Sequence, residues 1–152
     1  MNLYDDHNRI GDWDIEYLSG EQGPSILDFV GQKPLLILFF DYASSSFKDN
    51  GIEQVNKVSN LYPGLNIVGI HTSITGLDLN ATLIDQIRNI QRTSFRIFKD
   101  RNSLSAKAYN VEKTPHWILL DKNGFTIKSF SGCSPAQMQN LDYHLMELIG
   151  LH

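Results

Sequence analysis

The sequence is poor in cysteine, with one such residue, Cys133, among 152. One cysteine cannot form an internal disulfide, so the fold does not depend on an oxidising compartment, and we expect a cytoplasmic protein. The first seven residues contain no basic segment followed by an apolar one, which is the pattern of a secretory signal. A trimmed leader would instead imply export.

Basic runs and long apolar runs are also missing. Lysine and arginine number 13 against 17 aspartates and glutamates, and the net charge is -4. We therefore expect no nucleic-acid partner. The longest apolar run, from Leu35 to Phe40, is too short to cross a bilayer, so we expect no membrane partner. The oligomeric state stays open.

What is present is typical of one globular α/β domain. Hydrophobic residues make up 41% of the chain and charged residues 20%. We place a tail at residues 1–9 and a single domain at 10–152. The apolar run at 35–40 predicts a central strand covered on both faces. Periodicity predicts further helices at 46–61, 83–90 and 103–109, and further strands at 13–17, 66–71, 95–98, 117–120 and 125–130.

The last third of the chain carries two sharp local signals. Asn123-Gly124 between two predicted strands indicates a hairpin. Ser134-Pro135-Ala136-Gln137 combines an N-cap serine, a proline at the first helical position and a capping-box glutamine, which predicts a final helix.

This order of elements, with Thr114-Pro115 before the hairpin, resembles the thioredoxin superfamily over residues 10 to 150. The segment Ala108-Tyr-Asn-Val-Glu-Lys-Thr-Pro-His-Trp-Ile-Leu-Leu-Asp-Lys-Asn-Gly is similar to the TlpA and AhpC/TSA (redoxin) branch. The resemblance implies a thioredoxin-like α/β fold. It would have a central mixed β-sheet flanked by helices on both faces, an N-terminal strand pair and an extra central helix-strand insertion.

In this superfamily a Cys-x-x-Cys motif follows the central strand, at a helix N-terminus that favours a thiolate. The corresponding residues here are Ser44, Ser45, Ser46 and Phe47, with Ser44 and Phe47 at the two cysteine positions. Neither side chain forms a disulfide, so the resemblance implies a degenerate motif without dithiol exchange. The serine run is either a helix N-cap or a hydroxyl site for glutathione or another anion.

The resemblance also assigns a binding groove to Thr114, Pro115 and His116. It implies a cis peptide bond between Thr114 and Pro115, which is rare enough to be a deliberate feature. In the family this loop leaves the backbone before the proline free to pair with an extended partner chain.

Cys133 follows the glycine that ends the last predicted strand, a place that faces the active site in thioredoxins. It also precedes a predicted helix N-terminus, which would lower the pKa of its thiol. Two interpretations are open: a catalytic thiol, or an inert and mostly apolar side chain.

His71 and His116 lie at the ends of adjacent predicted strands. Should both meet Cys133 at one sheet edge, they would offer nitrogen and sulfur ligands to a metal. Their spacing matches no known metal motif, so we expect no metal and no cofactor.

Three functions are compatible with these features. The first is a redox-inactive module that binds a peptide, a protein or a small thiol such as glutathione in the cis-proline groove. The second is an atypical thiol-disulfide oxidoreductase or thiol peroxidase that relies on Cys133 alone. The third is a structural or dimerisation module.

Overall fold

The computed structural model describes residues 10–42, 51–73, 79–93 and 95–150. In this part of the chain, six strands form one mixed sheet. The strands are β1 (Ile15–Glu16), β2 (Leu35–Phe40), β3 (Asn66–His71), β4 (Arg96–Asp100), β5 (His116–Leu120) and β6 (Thr126–Ser131). Their order across the sheet is β1-β4-β3-β2-β5-β6. Strands β2, β3 and β4 are parallel, whereas β1, β5 and β6 each run antiparallel to their neighbours.

Helices cover both faces of this sheet. They are α1 (Ile52–Leu61), α2 (Ala81–Thr93), α3 (Leu104–Ala108) and α4 (Pro135–Ile149), with 3-10 turns at Ile26–Asp28 and Arg101–Ser103. One face packs under α1, α2 and α4 through Val55, Ile87, Leu141 and Leu145. The other face packs under the N-terminal segment and α3 through Trp13, Ile26, Phe29 and Ala106. This is the mixed sheet with helices on both faces that the resemblance implies.

Strand β2 is the centre of the core. All six of its residues are buried, and alternate side chains enter the two opposite apolar clusters. A strand covered on both faces needs apolar residues at every position, which is why this segment shows no alternation in the sequence.

The predicted strand at 13–17 is wrong in extent, because only Ile15–Glu16 is regular. Trp13 instead donates its indole N–H to the carbonyl of Pro24 at 2.8 Å, and Asp12 accepts from the amide of Ile26 at 3.0 Å. The expected N-terminal strand pair is thus reduced to β1 and an isolated bridge between Glu16 and Gln22.

The other elements follow the predicted order; β2 and β3 lie at their predicted bounds, and the rest have shifted ends. Strand β4 runs two residues beyond its predicted end, since Lys99 pairs with His71 of β3. The predicted helix at 46–61 is seen from Ile52 onward, and its first residues lie outside the described part of the chain. No helix in the described ranges has both the length and the apolar character needed to cross a membrane.

Candidate functional site

The carboxyl ends of the parallel strands and the start of β5 meet at one edge of the sheet. β2 ends at Phe40, β3 at His71 and β4 at Asp100, and antiparallel β5 begins at His116. Ligands of open α/β sheets bind at this kind of edge, so the side chains here are the first candidates for a site. The degenerate motif Ser44, Ser45, Ser46 and Phe47 lies outside the described residues.

The Thr114-Pro115 peptide bond is cis, which confirms that expectation. The carbonyl of Pro115 accepts a hydrogen bond from the amide of Gly132 at 2.8 Å, so the loop is joined to the end of β6. Thr114 is half-buried, and its N–H and C=O make no hydrogen bond to another described residue. Within the described part of the chain, the backbone just before the proline is therefore unpaired.

His116 is buried and both of its ring nitrogens are occupied. Nδ1 lies 2.9 Å from the Ser131 hydroxyl and Nε2 lies 2.8 Å from the Ser129 hydroxyl. Burial lowers the pKa of His116, so the neutral ring is favoured. The side chain thus contacts β6. A role of His116 in the binding groove stays a prediction, and it would involve the backbone of this residue.

Cys133 lies immediately after Gly132 and hence beside the proline loop. Its side chain is half-buried against the apolar cluster under α1, α2 and α4. The prediction of a lowered thiol pKa is wrong, because burial raises the pKa of Cys133. The amide of Gln137 at the start of α4 donates to the hydroxyl of the N-cap residue Ser134 at 3.3 Å. This N–H therefore binds the cap and not the sulfur of Cys133.

His71 lies at the end of β3 beside a second buried side chain that the sequence analysis did not single out, Asp41. The histidine is 3% exposed and the aspartate 1%, and His71 Nε2 lies 3.7 Å from Asp41 Oδ1. Burial lowers the pKa of His71 to about 4, and Lys99 lowers it as well, against the opposing effect of Asp41. At neutral pH the His71 ring is therefore uncharged, and its contact with the Asp41 carboxyl group is not an ion pair.

The two histidines and Cys133 are not brought together as metal ligands. His71 pairs with Phe40 and His116 with Phe39, so the two histidines lie on opposite faces of the sheet, two strands apart or about 10 Å. Within the described ranges, no three His, Cys, Asp or Glu side chains are grouped so as to hold a metal ion.

No protein-family model matches the sequence, and no curated protein matches it significantly. Solved structures match over nearly the whole chain. A thioredoxin-like superfamily protein shares 19% identity at a TM-score of 0.78, with 95% of this chain and 97% of that chain covered. A thiol-disulfide isomerase from Corynebacterium glutamicum shares 20% at 0.75, with coverages of 97% and 99%. A putative thiol:disulfide interchange protein DsbE from Chlorobium tepidum shares 16% at 0.74, with coverages of 94% and 96%.

These neighbours include a thiol-disulfide isomerase and a putative thiol:disulfide interchange protein, whereas this chain has a single cysteine. Identities of this size show a common fold and do not transfer an activity. The sheet order, the helices on both faces, the cis-proline loop and the neighbouring structures agree, and the chain has the thioredoxin-like fold.

Proposed function

We propose that this chain is a thioredoxin-fold binding module that takes up an extended polypeptide segment at the Thr114-Pro115 loop and performs no dithiol exchange. The observation that carries the proposal is the backbone of the half-buried residue Thr114, whose N–H and C=O have no hydrogen-bond partner among the described residues. A small thiol such as glutathione is the alternative ligand of the same loop.

An unpaired backbone beside a sheet favours an extended ligand. A peptide that lies along the unpaired N–H and C=O of Thr114 gains about 1 kcal/mol for each hydrogen bond formed. Residue 116 begins β5, so a peptide paired with Thr114 would continue the pattern of the sheet. Main-chain pairing of this kind gives affinity with little demand on the sequence of the partner.

The thiol inventory argues against dithiol chemistry. Dithiol-disulfide exchange within one chain needs two cysteines, and this sequence has one. Burial raises the pKa of Cys133, which lowers the fraction of its reactive thiolate at neutral pH. The features that support ligand uptake are thus separate from those that would support catalysis.

Linear peptides displayed on phage and selected against the full chain provide a direct test. A selected peptide should shift the backbone amide resonance of Thr114 more than those on the outer face of α4. A scan of the same peptide with single N-methyl groups should then find one position that weakens binding about tenfold, which corresponds to one lost hydrogen bond.

Methyl groups at the neighbouring peptide positions serve as matched controls, since they add the same bulk without removing the bond to Thr114. A scan in which every N-methyl group has the same effect, or amide shifts that avoid the loop, would overturn the proposal.

The competing function is an atypical oxidoreductase that uses Cys133. The hydrogen bond from Gly132 to Pro115 favours it, because this bond holds the residue before the thiol against the loop. The Cys133 thiolate would attack a substrate disulfide, forming a mixed disulfide and releasing the other sulfur as a thiol. A glutathione thiolate would then displace Cys133 and keep the substrate sulfur in a new mixed disulfide.

The Cys133→Ser variant separates the two functions. Binding through the Thr114 backbone predicts a peptide Kd within about twofold of the wild type, because the serine hydroxyl is nearly isosteric with the thiol. The oxidoreductase function instead predicts that any measurable thiol-disulfide or peroxide turnover disappears in this variant.

A further inference from the structure

A polar cavity of about 620 Å³ opens at the carboxyl ends of β3 and β4. This volume is in the range of small-molecule sites. The lining residues come from β1, from β3 and β4 with the turns that follow them, and from the approach to α2: Glu16, His71, Ser73, Leu79, Lys99, Asp100, Asn102 and Ser103. Most of them carry hydrogen-bonding groups, so the cavity suits a polar ligand.

Three of these side chains form a row across adjacent strands. Glu16 of β1 lies opposite Lys99 of β4, and Lys99 lies beside His71 of β3 in the sheet register. Residues paired in this way project from the same face of the sheet. The row presents a carboxylate, an ammonium group and an imidazole to one cavity.

The two carboxylates of the cavity are already engaged. Glu16 Oε2 lies 3.5 Å from Arg101 Nη2. Asp100 accepts from the amides of Ser105 at 2.8 Å and Ala106 at 3.0 Å, which caps the start of α3. Lys99, by contrast, makes no ion pair within 4 Å with any described residue. The ammonium group of Lys99 is therefore available to an anionic group of a ligand.

His71 supplies an unused polar group at the same wall. The side chain is 3% exposed, and its Nε2, which lies 3.7 Å from Asp41 Oδ1, has no hydrogen-bond partner within the described ranges. An unsatisfied buried nitrogen is costly and is expected to find a partner when a ligand or water is present. The hydroxyl of Ser73 and the amide of Asn102, both in the lining, are further donors.

We propose that this cavity binds a small organic anion, with the Lys99 ammonium group as its ion-pair partner and His71, Ser73 and Asn102 as its hydrogen-bonding wall. Carboxylate and phosphate oxygens share the chemistry that this wall would recognise. The site is distinct from the Thr114-Pro115 loop, because β2 lies between β3 and β5 in the sheet order and His71 projects from the face opposite to His116.

Titration of the isotope-labelled full chain with L-malate and with glycerol 3-phosphate tests the proposal, and sodium chloride at equal ionic strength provides the baseline. At least one of the two anions should give saturable shifts of the His71 ring and of the Ser73 and Lys99 amides. The anion that binds more tightly identifies whether the site prefers a carboxylate or a phosphate.

Three variants complete the experiment. Lys99→Gln should weaken the anion about tenfold or more, whereas Lys99→Arg should keep most of the affinity because the charge remains. Lys107→Gln removes an exposed lysine of α3 that does not line the cavity and should change nothing.

Shifts that follow ionic strength alone would overturn the proposal, as would equal affinities of the wild type and Lys99→Gln, or no binding of either anion. An unchanged amide spectrum away from the cavity checks that each variant is folded. None of these outcomes depends on the Thr114-Pro115 loop, so the two proposals succeed or fail separately.

Discussion

At the scale of single residues, His71 and Cys133 share a physical feature: burial, nearly complete for His71 and partial for Cys133, favours the neutral form of each. Burial lowers the pKa of the base His71 and raises that of the acid Cys133, because in each case the charged form is the one that loses hydration. The same cause therefore produces opposite shifts, and each shift has a measurable consequence.

The pH dependence of stability should report His71. The pKa of this residue falls from 6.5 in the unfolded chain to about 4 in the native state. Above pH 6.5 neither state binds the proton; between pH 6.5 and 4 only the unfolded chain does, so stability is lost as the pH falls through this window. The shift corresponds to about 3 kcal/mol of unfolding free energy.

Urea unfolding at pH 7, 5.5 and 4 measures this effect. Between pH 7 and 4, the unfolding free energy of the His71→Gln variant should fall by about 3 kcal/mol less than that of the wild type, since glutamine does not titrate. His144→Gln, in α4, is the control and should retain the wild-type dependence. Parallel curves for the wild type and His71→Gln would show that His71 does not cause the loss.

The reactivity of Cys133 gives a second prediction at this scale. Its raised pKa and partial burial should make alkylation by iodoacetamide at pH 7.4 several-fold slower than that of N-acetylcysteine. In urea the rate should rise to that of the free thiol. Labelling faster than the free thiol in the native protein would instead favour a functional Cys133.

At the scale of the element, β3 has a glycine, Gly69, at a place where a side chain would collide with the core. A Cβ built on Gly69 would lie 2.5 Å from Phe95 Cε2 and 3.2 Å from Phe40 Cε1, and both rings are buried. Both rings belong to the buried apolar cluster, so they cannot move aside without disturbing its packing. The packing of β3 therefore requires glycine at position 69.

Gly69→Ala should therefore destabilise the protein by about 1–3 kcal/mol, the usual cost of overpacking. Gly64→Ala is the matched control, because its Cβ would make only an ordinary contact with Ile149 at 3.7 Å. Chemical denaturation of both variants compares them. Equal stabilities would mean that Phe95 relaxes freely, and a Gly69→Ala, Phe95→Leu double variant should recover part of the loss.

The elements themselves were predictable where one physical signal dominated. Strands β2 and β3 lie at their predicted bounds because their apolar runs are bordered by proline or glycine turns. The capping box at Ser134 is also present. Strand β1 was overextended because alternation at 13–17 reflects packing of Trp13 in a loop, where its indole bonds to a residue eleven positions away. Propensity carries no information about such tertiary contacts.

At the scale of the whole molecule, the candidate sites were less predictable than the fold. The cavity joins residues from Glu16 to Ser103, which only the sheet order brings together. The sequence analysis did not single out Asp41, although this side chain is 1% exposed beside His71. The sign of the Cys133 shift depended on packing against α1, α2 and α4 rather than on its position before a helix. Sequence spacing contains none of these distances.

The last prediction also belongs to the whole molecule, since it depends on the thiol content of the entire chain. With one cysteine, a mixed disulfide formed by the protein cannot be resolved by a second thiol of the same chain. In the insulin precipitation assay with dithiothreitol, the wild-type protein should give no rate above that of dithiothreitol alone. A dithiol oxidoreductase of the same fold is the positive control. Acceleration by the wild type that is lost in Cys133→Ser would contradict this expectation and make the single thiol the reactive group.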